Sequence, residues 1–421
     1  PILSGIAHPG NQPADIQDQK LMKALFIGLD ALDKDLMKSW SQDGLLPTFA
    51  RLLDDCAWAQ TSNPVGLYVG AVWPSIFTSV SPARHGRYCW EQFQPGTYET
   101  RLFTPTQTAA PAVWEAFGKA GKRVAVVDVP KAPLTTDING LQIADWGTHD
   151  PDYQAGLRSA PEGIADEILA RFGSDPVGNC NAIARDAEGI TAFVRQLQDR
   201  IAGKLEITKF ALEQEDWDCL FTVFSESHCV GHQCWHMIDP THPRYDPAIA
   251  KAAGNPMLDV YRAIDSAIAE LLTRVDTDVP VIILSSHGMG PHYEATYLLD
   301  TILKKLESPP TVKSYPLTMK LLEWSWARLP QRLRSALRPA SNKAKTLVDP
   351  RTRSLSSRNY FKIPNNDVFG GIRINLKGRE PGGKITPGDE YEQLCHQLEK
   401  DLMTFINVET GEPLVERVVH T

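Results

Sequence analysis

Long apolar runs are missing from this 421-residue chain. None approaches the roughly 20 residues that a membrane-spanning helix needs, so no segment reads as one. A cysteine framework is missing too. The seven cysteines, at 56, 89, 180, 219, 229, 234 and 395, are odd in number and scattered, which predicts reduced thiols and a cytoplasmic protein. Residues 1 to 21 are polar, carry Pro9, Gly10 and Pro13, and lack the basic start and apolar centre of a secretion signal; they read as a disordered leader before Met22. Excess positive charge is also lacking. With 43 Lys and Arg against 51 Asp and Glu, the net charge is -8, which argues against nonspecific nucleic-acid binding as the main task. An anionic substrate would need local positive charge from a metal, a helix N-terminus or a basic patch.

What the chain has is a histidine-rich stretch behind an apolar run: FTVFSESHCVGHQCWH, Phe221 to His236. Cys219 to Phe224 has the composition of a parallel strand covered on both faces. Ser225, Glu226, His228 and His232 follow its carboxyl end, where open α/β sheets place their ligands. Histidines four apart meet one metal if the segment turns helically, and neutral imidazole suits zinc, iron or copper. The plainer alternative is a polar loop with surface histidines. Cys229 and Cys234 could join a structural zinc site, but no second cysteine or histidine cluster completes four ligands.

The rest of the chain supplies similar strand exits. Lys23 to Leu29 predicts a buried strand and Asp33 to Trp40 a helix, leaving Asp30 as either a metal ligand or a helix cap. A helix over Leu45 to Asp54 and a short strand over Cys56 to Gln60 follow. Thr61 to Gly86 reads as a loop entering a helix over Ala71 to Ser79, where Pro74 fits only in the first turn. Tyr88 to Pro111 carries aromatics and turn residues in the manner of a small lid. Ala112 to Ala120 and Arg123 to Val129 give a helix and a strand; 160 to 214 is mainly helical, and so is Leu258 to Arg274. Val279 to Leu284 is another buried strand, with Ser285, Ser286 and His287 at its exit and His292 close behind. Residues 304 to 358 are rich in Lys and Arg, include Trp324 and Trp326, and show a helical stretch from Thr318 to Leu337 broken at Pro330. That composition suits a solvated face, an anion-binding cap or a membrane-surface helix. A strand with turns and a helix over Glu390 to Thr404 close the sequence.

The pieces LFIGLDALDKDLM, WPSIFTSVSPARHG, PAVWEAFGKAGKRVAVVDVP, FSESHCVGH, LSSHGMGP and GIRINLKGREPGG, in this order, resemble the type I phosphodiesterase/nucleotide pyrophosphatase branch of the alkaline phosphatase superfamily. The resemblance implies a doubly wound, mainly parallel α/β sheet flanked by helices, to which the composition of the basic segment adds a helical insertion. The expected division is a core over 22–300, the insertion over 301–360 and a return to the core over 361–421. It also implies a two-metal site for phosphate or sulfate esters, in which Asp30 matches the first-strand aspartate, His232 the first-site histidine and His287 the second-site histidine. Three positions depart from the family pattern: His228 and Ser286 stand where the family has aspartates, and Val69 falls where its nucleophile should be. The chain also stops before the point where a late metal-binding histidine is expected, and His420 matches it poorly by position.

Losing two anionic ligands weakens divalent binding, most at the second site, so one zinc is a better expectation than two. The expected activity is hydrolysis of a small anionic phosphate or sulfate ester by metal-activated water, without a covalent intermediate. The expected ligands are Asp30, His228, His232 and His287. Glu226 or His292 is the candidate base, Tyr68 a fallback nucleophile, and Gly70 and Ser286 candidate substrate contacts. The alternative is a degenerate member that binds an anionic ligand or partner without turnover. Peripheral membrane contact enters only through the basic Trp-bearing segment.

Overall fold

A computed structural model of the chain describes residues 22–63, 66–67, 70–148, 156–291, 296–307, 355–365 and 369–420. Its elements, in order, are β1 (Ala24–Leu29), α1 (Lys34–Gln42), α2 (Pro47–Asp55), α3 (Val72–Thr78), α4 (Pro82–His85), β2 (Glu91–Phe93), β3 (Thr100–Leu102), α5 (Val113–Lys119), β4 (Val124–Val127), β5 (Gly140–Ala144), β6 (Arg158–Ala160), α6 (Ile164–Phe172), α7 (Ala187–Gln214), β7 (Cys219–Phe224), α8 (Glu226–Ile238), α9 (Pro247–Ala253), α10 (Pro256–Leu272), β8 (Val281–Ser285), α11 (Thr296–Glu307), β9 (Tyr360–Ile363), β10 (Gly371–Ile374) and α12 (Asp389–Leu402). They fall into two units. The first comprises Pro1–Asn63, Val72–Gly86 and Thr104–His292; the second comprises Pro64–Ala71, Arg87–Phe103 and Tyr293–Thr421.

In the first unit the apolar runs pair into a six-stranded sheet ordered β6-β5-β4-β7-β1-β8, parallel except where β6 meets β5. Chains of this composition bury such a sheet by laying helices on both faces. One face is covered by α7, α8 and α10. On α7 the buried positions 190, 193, 194, 197, 201 and 205 recur every three or four residues, the stripe that turns one helical face to a core. The other face carries Trp73 and Phe77 of α3 and Trp114 of α5 against Val124, Val126 and Val223. Each fully buried large side chain here contributes roughly 1.5–3 kcal/mol of transfer free energy. The expected strand at Cys56 to Gln60 does not form: the segment is exposed throughout and so has no apolar face to bury.

Helix ends near the site are fixed by side chains. Asp33 caps α1 by accepting from the backbone N–H of Asp35 and Leu36, and its own N–H donates to the Tyr261 hydroxyl of α10 at 2.8 Å. The Asp265 carboxylate of α10 accepts from Thr48 and Phe49, so it supplies the cap that Leu46 cannot give α2. Both contacts tie the segments after β1 to the helix layer.

The second unit has its own apolar cluster: Leu303 of α11, Tyr360 and Ile374 of the antiparallel pair β9 and β10, Ile385, and Leu398 of α12. Part of the expected lid is the β2–β3 hairpin of this unit. Tyr98, just before β3, donates its hydroxyl to the Asn375 side chain at 2.7 Å. The expected leader, 1–21, and most of the expected basic insertion, including Trp324, Trp326 and Pro330, lie outside the described residues.

Candidate active site

Three neighbouring parallel strands, β7, β1 and β8, end at the same edge, with Leu29 level with Phe224 on one side and Ser285 on the other. The ladder continues one step past the strands. Asp30 donates its N–H to the Phe224 carbonyl at 2.9 Å, and Ser286 donates its own to the Leu29 carbonyl at 3.0 Å. Asp30 is therefore held by the sheet from both sides.

Its carboxylate is oriented as well. Oδ1 accepts from the Trp73 indole and from the Ser286 hydroxyl, both at 2.8 Å. The indole reaches it by crossing Gly28, where an added Cβ would stand 2.8 Å from the Trp73 ring and 2.9 Å from Val223. On the main chain, Ser227 donates its hydroxyl to the Asp30 carbonyl at 2.6 Å, and the Ala31 N–H donates to Ser286 Oγ at 3.0 Å.

The imidazoles gather around this carboxylate. Four residues apart on α8, His228 and His232 share a face, and their Nε2 atoms stand 3.0 Å from each other. His228 Nδ1 is 4.0 Å from Asp30 Oδ2, and His287 Nε2 is 4.0 Å from Asp30 Oδ1. His287 Nδ1 lies 2.7 Å from the Gly288 carbonyl. Since a carbonyl only accepts, Nδ1 carries the proton, and in the neutral ring Nε2 presents a lone pair towards a carboxylate. That juxtaposition calls for a proton or a cation between them.

Two donors on one tetrahedral zinc at ~2.0–2.1 Å stand roughly 3.3 Å apart. The His228–His232 spacing fits that bite, and the 4.0 Å spacing of Asp30 and His287 is wider than it. Among the described residues no group of three or more His, Cys, Asp or Glu side chains is set to hold an ion as the side chains stand. Of these pairs, His228 and His232 alone have the spacing of two donors to one ion.

Other expected residues have different employment. Glu226 is fully buried, about 200° around α8 from His228 at 100° per residue, and its Oε1 lies 3.3 Å from the Lys204 ammonium. A base must reach solvent or substrate, so Glu226 is corrected from base to buried counter-ion. Ser286, 3% exposed, has its hydroxyl committed to Asp30 and Ala31 and is a support for the carboxylate instead of a substrate contact. An added Cβ on Gly70 would meet the Cys89 backbone at 2.5 Å, so close chain packing accounts for that glycine. Cys229 and Cys234 are fully buried, and burial pushes the Cys234 thiol up to about 12, far from the thiolate a zinc needs. Tyr68, Val69 and His292 lie outside the described residues.

Two residues escaped the sequence reading. Trp73 stood inside a quoted motif, but nothing in its spacing indicated a bond to Asp30. Lys204 was hidden in a charged helical stretch. It lies on the buried stripe of α7, 3.0 Å from Asp128 Oδ2, and the one available clue was a lysine in register with Ile201, Leu205 and Thr208.

The family model for type I phosphodiesterase/nucleotide pyrophosphatase matches residues 24–413. Among solved structures, the chain is similar to phosphonoacetate hydrolase from Sinorhizobium meliloti 1021. The complex with phosphonoformate aligns at 19% identity and a TM-score of 0.45, and the complex with phosphonoacetate at 19% and 0.44. Each alignment covers 65% of this chain and 58% of the other, so the match spans little more than half of that enzyme's length. No curated protein matches the sequence.

Proposed function

The chain belongs to the type I phosphodiesterase/nucleotide pyrophosphatase family, and from that premise we propose that it hydrolyses a small anionic phosphate ester, or a related sulfate ester, at the cluster of Asp30, His228, His232 and His287. The reading includes one divalent ion, zinc by donor type, held by His228 and His232. Such an ion supplies Lewis acidity and lowers the pKa of bound water from ~15.7 to about 7. The residues of the chain do the rest. Trp73 and Ser286 fix Asp30 so that Oδ2 is its free edge, facing His228. With its Nδ1 proton on the Gly288 carbonyl, His287 offers Nε2 as the atom that accepts a proton, the role that Glu226 cannot fill from its buried pair with Lys204.

The observation that carries this reading is the 3.0 Å approach of the two Nε2 atoms beside a fixed carboxylate. It is tested by elemental analysis of protein purified without chelator, together with turnover of aryl phosphate mono- and diesters. Zinc near one equivalent and diester turnover are expected, with both lost in His228→Ala and His232→Ala. Turnover that survives the double variant sinks the assignment. A second reading, an anion binder without turnover, draws on neutral Ser286 standing where the family pattern has an aspartate. Bound metal with no turnover across the panel would favour it.

A further inference from the structure

The geometry points to Gly231 and Met289 as positioning residues for the hydrolysis: a notch on α8, where Gly231 has no side chain, receives Met289, and this contact sets how closely the loop bearing His287 approaches the histidine pair. The inference rests on the hydrolase reading above. Gly231 comes three residues after His228 and one before His232, so all three fall within about 100° of one another around α8. A glycine inside a helix is unfavourable relative to alanine, so its place in the middle of α8 calls for a packing reason.

That reason is a close approach. A Cβ added at Gly231 would stand 2.8 Å from Met289 Cγ, 2.9 Å from its Cε and 3.4 Å from its sulfur, the three nearest atoms outside α8. Carbon atoms in ordinary contact lie ~3.5–4.0 Å apart, so a methyl group there would drive Met289 back by about 1 Å. Met289 is only two residues past His287, and the chain leading to it is held at its start. Ser286 donates its N–H to the Leu29 carbonyl at 3.0 Å, and the Ser285 hydroxyl lies 3.0 Å from the Leu32 carbonyl and 3.1 Å from that of His287. Gly288 passes close to Asp33, whose Oδ2 would be 3.4 Å from an added Cβ. The loop is thus pinned to the exit of β1 at one end, and Met289 in the Gly231 notch fixes the other end against α8.

His287 lies between these two anchors. Its ring centroid is 6.2 Å from that of His228, with the rings at 83°, and its Nε2 is 4.0 Å from Asp30 Oδ1. The first spacing is set by how near the loop comes to α8. Proton transfer depends steeply on such placement, since a displacement of about 1 Å costs on the order of 10²-fold in rate. Gly231 and Met289 touch no reacting atom in this account; they act through His287.

Gly231→Ala tests the notch, because helix propensity alone makes this substitution neutral or stabilising. For an aryl phosphodiester kcat should fall about 10–100-fold, with KM and zinc content nearly unchanged. Met289→Ala in the same chain makes room for the methyl group, so the double variant should be more active than Gly231→Ala. Undiminished kcat in Gly231→Ala, a double variant no better than the single one, or zinc lost together with kcat overturns the proposal. Should Gly231→Ala not fold, Met289→Ala alone carries the test: it loosens the loop and should lower kcat several-fold at constant KM, and an unchanged kcat overturns the proposal. If the wild-type protein turns over no ester, the hydrolase reading fails and the contact is judged by crystal structures of wild type, Gly231→Ala and the double variant. A His287 Nε2 that retreats from Asp30 by about 1 Å in Gly231→Ala and moves back in the double variant supports it. A ring that stays in place, or one that does not move back, overturns it.

Discussion

Asp30 gives one oxygen to the Trp73 indole and the Ser286 hydroxyl and keeps the other edge towards His228. The sequence placed Asp30 at a strand exit from the apolar run before it. Whether it was a cap or part of a site could not be read there, because capping falls to Asp33 and the choice depends on contacts 43 and 256 residues away. His236 allows a test at the scale of one proton. Burial and then its cationic neighbours hold its pKa below the free imidazole value. As pH falls through ~6.5 the unfolded chain takes this proton first, so stability declines with pH until the folded protein is protonated too. His236→Gln should therefore flatten the dependence of the urea midpoint on pH between neutral and mildly acidic solution. Superimposable profiles for variant and wild type would contradict this.

α8 brings two kinds of residue to two faces: histidines outward and Glu226 inward, against Lys204 of α7. Lys204 lies between Asp128 and Glu226 with no exposed side chain; burial would lower its pKa, and the Glu226 and Asp128 charges keep it raised. Lys204→Met should cost about 3–5 kcal/mol, because two carboxylates lose their counter-ion inside the core. Glu226→Gln in the same chain should recover part of that loss. A melting temperature unmoved by Lys204→Met would show the cluster to be slack. The existence of α8 and of the strand before it was legible from apolar runs and histidine spacing. Which face Glu226 occupies was not, since a helix of 13 residues with apolar groups all round has a poorly defined inward side until α7 is packed on it.

Across the whole molecule, β1, β4, β7 and β8 were legible because each is an apolar run, whereas β5, interrupted by Gln142, was not, and the order β7-β1-β8 depends on pairings that no local pattern encodes. Among the described residues β8 pairs with β1 alone, and Ile282 on it is 45% exposed. An uncovered apolar strand edge invites self-association. Ile282→Lys should reduce light scattering at high protein concentration while changing stability by no more than about 0.5 kcal/mol. Scattering that does not fall would show that this strand plays no part in association. The place of β1 between two strands that come late in the chain also sets a timetable for biosynthesis. Its partners begin at Cys219 and Val281, so at ~5–20 residues per second the ribosome leaves the first strand without a neighbour for roughly 10–40 s. During that interval an apolar segment that later lies between two strands of the sheet has nothing native to pair with, which makes the nascent chain a natural client for chaperones until β7 emerges.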